Sequence, residues 1–226
     1  LATSLRRPTG HGGSRRGEPR SDAVLDELEA TIRAGLGDER FAVLGWSYGG
    51  YLAAGVTRRL PSQLSGLMMV CTGFKIRPEN RDLTGVLTWT HQPGWLTRVP
   101  PQLHQPFTHA VGAQTAGVAE RIVATLNLNG PTDDDYLASL RADGFALSDE
   151  AVPTPCDASV CLLTGQRDRV IGFASLAGAL GSFEHGTHTN ISNAGYYLPL
   201  EQAAIFAAVT GSWLAQCQTH LEAHSA

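Results

Sequence analysis

The chain has 226 residues, 42% of them apolar, with a formal net charge of −4 and a pI near 6.0. That is enough for one full core or a core with a small covering subdomain, and it excludes the Lys/Arg-rich faces that draw nucleic acid or anionic membranes. No stretch reaches the roughly 18 apolar residues of a spanning helix, and the N-terminus lacks the basic-then-apolar order of a signal peptide, so a cytoplasmic protein without a membrane partner is expected.

The basic residues Arg6, Arg7, Arg15, Arg16 and Arg20 lie among Gly, Pro and Ser and read as a solvated loop. Cys71, Cys156, Cys161 and Cys217 have neither C-x-x-C nor metal-finger spacing and read as buried thiols, with Cys71 closing an apolar strand. Neither a cofactor nor a metal is implied. A small-molecule substrate is the expected partner, and a homo-oligomer is compatible with the composition.

In chain order, residues 21–36 place Val24, Leu25, Leu28, Ile32 and Leu36 at helical spacing, with acids early and Arg33 late. A break at 37–40 leads to residues 41–44, read as a short strand buried on both faces, as in parallel sheets. Gly45-Trp46-Ser47-Tyr48-Gly49-Gly50 follows, then a helix over 51–60 that Pro61 ends, and a second buried strand over 64–71. From 75 to 154 the character changes to prolines, histidines, Trp89, Trp95 and short helical patterns such as 116–126 and 134–140. The alternation then resumes with a strand at 159–163, a polar loop to Arg169, a helix over 173–180, a strand near 187–192 and a helix over 200–219. Alternating helices and strands imply parallel pairing with right-handed crossovers. The fold class is therefore α/β, with core segments 1–74 and 155–226 and a helical lid over 75–154.

The hexapeptide 45–50 lies between a buried strand and a helix, the setting that turns G-x-S-x-G into a nucleophile elbow. A sharp turn there lifts Ser47 Oγ above the sheet, small residues at 45 and 49 let backbones pass, and the helix N-terminus offers positive potential to an oxyanion. The Tyr48 N–H is one expected oxyanion donor. A glycine-rich turn without catalysis is the alternative.

With these residues in view, nearly the whole chain resembles the α/β-hydrolase superfamily, in its lid-bearing branch of small-molecule esterases. Residues 8–14, Pro-Thr-Gly-His-Gly-Gly-Ser, resemble the family's loop after its fourth strand. Residues 163–170, Leu-Thr-Gly-Gln-Arg-Asp-Arg-Val, resemble the loop after its seventh, which makes Asp168 the acid that orients the catalytic imidazole. Residues 193–202 resemble the segment that carries that imidazole within Ala-Gly-His, followed by Leu-Pro and Glu-Gln.

The order Ser47, Asp168, position 196 matches nucleophile, acid and base, but position 196 is tyrosine. A phenol with a reference pKa of about 10 does not take a serine proton near neutrality as an imidazole does. His185 and His188 lie at or before the wrong end of the last strand, His91, His104 and His109 belong to the lid, and His220 and His224 to the tail. The resemblance also places residues 1–5 as the fourth strand. It leaves the third strand and its oxyanion loop upstream of the chain, and so a gap in the sheet.

The expected function is a serine hydrolase acting on a small ester or related acyl compound through an acyl-enzyme on Ser47. Trp46, Phe74, Trp89 and Trp95, with Tyr48 and Phe107, are candidate substrate walls; aromatic packing within the lid is the alternative. A non-catalytic ligand-binding or interaction protein on a degenerate scaffold is the competing function, and an accidental change at 196 is a third account.

Overall fold

A computed structural model describes residues 17–87, 91–128, 133–142 and 145–223. Its elements in chain order are α1 (Ser21–Leu36), β1 (Phe41–Trp46), α2 (Tyr48–Arg59), β2 (Leu64–Val70), α3 (His104–Ala110), α4 (Ala116–Leu128), α5 (Asp134–Ala142), β3 (Ser159–Gly165), α6 (Ala174–Ala179), β4 (Gly186–Ile191), α7 (Leu198–Glu201) and α8 (Ala203–Ala223), with short 3-10 turns between them. The described strands form one parallel sheet in the order β1-β2-β3-β4, flanked by helices.

Strand alternation decides which helices pack where. Leu67, Met69, Val160 and Leu162 point to one face, where Ala53 and Ala54 of α2 and Leu176 of α6 cover them. Met68, Val70, Cys161 and Leu163 point to the other, against Trp213 and Cys217 of α8. β2 and β3 are buried along their whole length, as expected of central parallel strands. α8 sits close because residue 66 is glycine: a Cβ there would lie 2.2 Å from Cys217 Sγ. α1 packs outside α2 through Val24 and Leu25 against Tyr51, Leu52 and Val56.

β1 departs from the expectation of two buried faces. Among the described residues it pairs only with β2, and Leu44 and Trp46 are 40% and 37% exposed. An edge strand lacks the neighbour that would cover such side chains. The four described strands are contiguous, and the predicted strand at 1–5 and loop at 8–14 lie outside the described residues.

The predicted helix over 200–219 is two helices. Gln202 leaves helical geometry at φ −129° and ψ 53°, and its Nε2 donates to Asn193 O at 2.6 Å. That break turns α7 inward beneath the loop after β4. α2 begins at Tyr48, three residues before the predicted start, immediately after the serine.

The long segment between β2 and β3 holds no strand among the described residues. Trp95, Val99, Phe107, Val111 and Ile122 form its own apolar cluster. Its return end is pinned to α2: Arg58, whose side chain is 4% exposed, reaches Asp149 with bonds of 2.7 and 3.0 Å. The Tyr51 hydroxyl donates to Glu150 Oε2 at 2.7 Å and accepts from Leu147 N at 2.6 Å.

Candidate active site

Ser47 stands between the end of β1 and the start of α2 at φ 55° and ψ −125°, a conformation that L-residues adopt rarely and at a cost. The surroundings enforce it. Ser47 N donates to Val70 O at 2.9 Å, and Ser47 O accepts from Gly50 N and Tyr51 N at 2.9 and 3.1 Å. Gly45 is obligatory, since a Cβ there would lie 2.2 Å from Gly49 O. The second close approach is at Gly50, where a Cβ would meet Thr72 Cγ2 at 2.6 Å; Gly49, expected to fill that role, has open space around its Cα. This strained, backbone-determined turn has the geometry of a nucleophile elbow.

The Tyr48 N–H is the first of α2 and lies beside Ser47, at the positive end of the helix. Its side chain points elsewhere: the hydroxyl pairs with Ser21 Oγ at 2.8 Å and the ring packs on Phe145. Burial pushes that phenol up to about 12.

Asp168, fully buried in the loop after β3, accepts from Val170 N at 2.8 Å and Ile171 N at 3.0 Å through Oδ1. Its Oδ2 is buried with no partner. Burial raises this carboxyl to about 6, against the three backbone N–H bonds that favour its charge. The residue whose phenol feels this carboxyl's charge is Tyr196.

The Tyr196 hydroxyl is hydrogen-bonded to Ser47 Oγ. Either hydroxyl can be the donor. Burial raises its pKa to about 12, with the Ser47 bond lowering it and the charges of Tyr197 and Asp168 adding to the rise. The structure thus brings Ser47 and position 196 together, with Asp168 near enough for its charge to act on the phenol.

The loop at 193–196 packs tightly on the end of β3 because Gly165 has no Cβ; one would lie 2.5 Å from Ala194 O. Trp46 serves this loop: its Nε1 donates to Tyr196 O at 2.8 Å and its ring lies 4.9 Å from that of Tyr196. Phe74 packs on Phe183 within the cluster beneath α2 and α6, and Trp95 in the cluster of the helical segment. Trp89 lies outside the described residues. Phe107 is buried beside Tyr197.

Four of the described histidines are engaged away from Ser47. His188 bonds Thr164 Oγ1 at 2.9 Å within the sheet, His104 bonds Val99 O at 2.8 Å, and the rings of His185 and His220 meet edge-on near the end where the strands begin. A hollow of about 150 Å³ lined by Arg40, Ser62, Cys156, Asp157 and His220 also lies at that end, opposite the elbow. No helix among the described residues is long and apolar enough to cross a membrane.

Two charged groups beside the site had no role assigned from sequence. Glu201 and Arg167 both grip the backbone at Gly112, through bonds to its N–H and its carbonyl respectively. Their partners lie 89 and 55 positions away. The only local signal was the acid in the Glu-Gln pair after position 196.

A family profile described as "alpha/beta hydrolase fold" matches residues 8–144. The chain belongs to the α/β-hydrolase family. A comparison with curated proteins by sequence gives no match. Among solved structures, an α/β superfamily hydrolase from Oenococcus oeni PSU-1 is similar at a TM-score of 0.73 and 18% identity, covering 93% of this chain and 80% of that one. A thermophilic esterase from Thermogutta terrifontis follows at 0.68 and 20%, covering 93% and 78%. A meta-cleavage product hydrolase from Pseudomonas fluorescens IP01 gives 0.66 and 16%, covering 92% and 77%. Identities this low establish the shared fold alone.

Proposed function

We propose that this chain is a serine hydrolase for a small ester or related acyl compound, working through an acyl-enzyme on Ser47, with turnover held down by the phenol at position 196. The observation that carries the reading is the strained Ser47 backbone at the head of α2, with Oγ bonded to the group at position 196. In the reaction, Oγ attacks the acyl carbonyl, the oxyanion forms at the Tyr48 N–H, and collapse expels the alcohol. Water then attacks the acyl carbonyl and releases Ser47. Each half needs a group that takes a proton and returns it. A phenol at about 12 is ionised to roughly one part in 10⁵ at pH 7, so Ser47 is left without a base. The helical segment 75–154 acts as the lid, with Trp95 and Phe107 as its packed core.

The test is turnover of short-chain p-nitrophenyl esters. Tyr196→His is expected to raise kcat/KM by about 10³ or more, and adding Ser47→Ala to remove the gain. The starting chain's residual rate should climb about tenfold per pH unit from 7 to 10 as phenolate forms, whereas the histidine variant levels off near neutrality. Absence of turnover in both forms, with specific ligand binding retained, would favour a binding protein instead.

A further inference from the structure

A buried carboxylate close to the base position takes no part in the chemistry above. Glu201, 6% exposed at the end of α7, turns back beneath the loop after β4. Its Oε2 accepts from Gly112 N at 2.8 Å, Ala113 N at 2.6 Å and Gly195 N at 3.0 Å, while Oε1 is buried without a partner. Two glycines let these backbones meet. A Cβ on Gly112 would lie 2.3 Å from Gly195 N, and one on Gly195 would lie 2.5 Å from Ala110 O. The next residue continues the seam, with Tyr196 N donating to Ala110 O at 2.9 Å. From the opposite side, Arg167 Nη1 donates to Gly112 O at 3.2 Å and Asn193 Oδ1 at 2.6 Å.

A carboxylate is costly to bury, and an apolar side chain would fill the same volume without that cost. What an apolar group lacks is the ability to hold three N–H donors from two distant segments at one point. Those donors sit next to the residue that faces Ser47, where a displacement of about 1 Å is enough to lose proton transfer.

We infer that Glu201 is a positioning residue: it fixes residue 196 over Ser47 by tying its loop to the helical segment at Gly112 and Ala113, so that segment and base position move as one body. The catalytic consequence rests on the hydrolase reading above; the mechanical tie does not.

Hydrogen–deuterium exchange on the full chain tests the tie without needing activity. Glu201→Ala is expected to speed exchange about tenfold or more over 110–115 and 193–197 while β2 and β3 stay unchanged, and Glu201→Gln, which keeps an acceptor oxygen, to recover most of that protection. In the Tyr196→His background, Glu201→Ala should lower kcat about tenfold or more with KM within about threefold, and Glu201→Gln should restore most of kcat. Unchanged exchange in the two segments, or equal loosening of β2 and β3, overturns the inference. So does loosened exchange with kcat intact. Should Tyr196→His show no turnover, the hydrolase reading fails by itself and the exchange result alone decides the tie. Where Glu201→Ala does not fold, Glu201→Asp, one methylene short of the three donors, must loosen the same two segments, and the inference falls if it does not.

Discussion

The elbow at 45–50 and the loop at 193–196 face each other across the same site, and they are made differently. At the elbow the functional geometry is carried by the backbone: two glycines, a positive φ at Ser47 and a bond to Val70 O. At the opposite loop the backbone is held just as firmly, by Glu201, Trp46 and Ala110, yet the chemistry depends on which side chain hangs from position 196. Under the proposed function, the site has kept its shape without an imidazole base. Shape and chemistry are separable, and substitutions on the two sides should separate them.

The largest stability effect is expected on the backbone side. Gly45→Ala puts a Cβ 2.2 Å from Gly49 O, against backbone that cannot yield, and should cost on the order of 3 kcal/mol or more in chemical denaturation. Gly49→Ala, one turn away with open space around it, should be neutral or stabilise by up to about 1 kcal/mol as a better helix former. Similar losses from both would show that the elbow is not held by close backbone approach.

On the other side, Asp168 links the site to pH. Its carboxyl is raised from 3.8 to about 6 when folded, so between those values the native state holds a proton that the unfolded chain has released. Stability from this group is greatest in acid and falls as pH rises through that window, by up to about 3 kcal/mol. Denaturation at pH 4.5 and 7.5 should show the loss in the starting chain and a smaller one in Asp168→Asn. An equal loss in both would remove Asp168 as the cause. If the ring N–H of Tyr196→His reaches Oδ2, as the proposed function requires, the dependence should flatten or reverse.

A smaller effect is expected at the return end of the helical segment. Tyr51→Phe removes one hydroxyl bonded to both Glu150 and Leu147 N and should cost about 1–3 kcal/mol, measured by urea denaturation. Turnover of the Tyr196→His variant should change less than stability does, since these contacts lie on the far side of α2 from the loop at 193–196.

Much of this architecture could be read from local pattern. The strand-elbow-helix unit, the central strands β2 and β3 and the order Ser47, Asp168, position 196 each rest on residues close together in the chain. What could not be read depends on distance. β1 has the apolar run of a central strand but lies at the edge of the described sheet, so Leu44 and Trp46 are open. The helix over 200–219 has continuous helical character in sequence, yet it breaks at Gln202, whose side chain reaches back to Asn193. Glu201 looks like a surface acid in a helix. Its role comes from donors supplied by Gly112 and Ala113, which no local window contains. Gly49 and Gly50 are adjacent and alike in sequence, and only the packing of Thr72 tells them apart.

The conformation of Ser47 has a consequence for any substitution there. At φ 55° and ψ −125° a side chain is tolerated at a cost of about 1–3 kcal/mol, and glycine would occupy the same turn without that strain. Relief is one substitution away and would leave the elbow, α2 and the sheet as they stand. Ser47→Gly would relieve the strained backbone and at the same time leave the Tyr196 hydroxyl without the oxygen it is bonded to, so strain and hydrogen bond at this turn are coupled through one side chain.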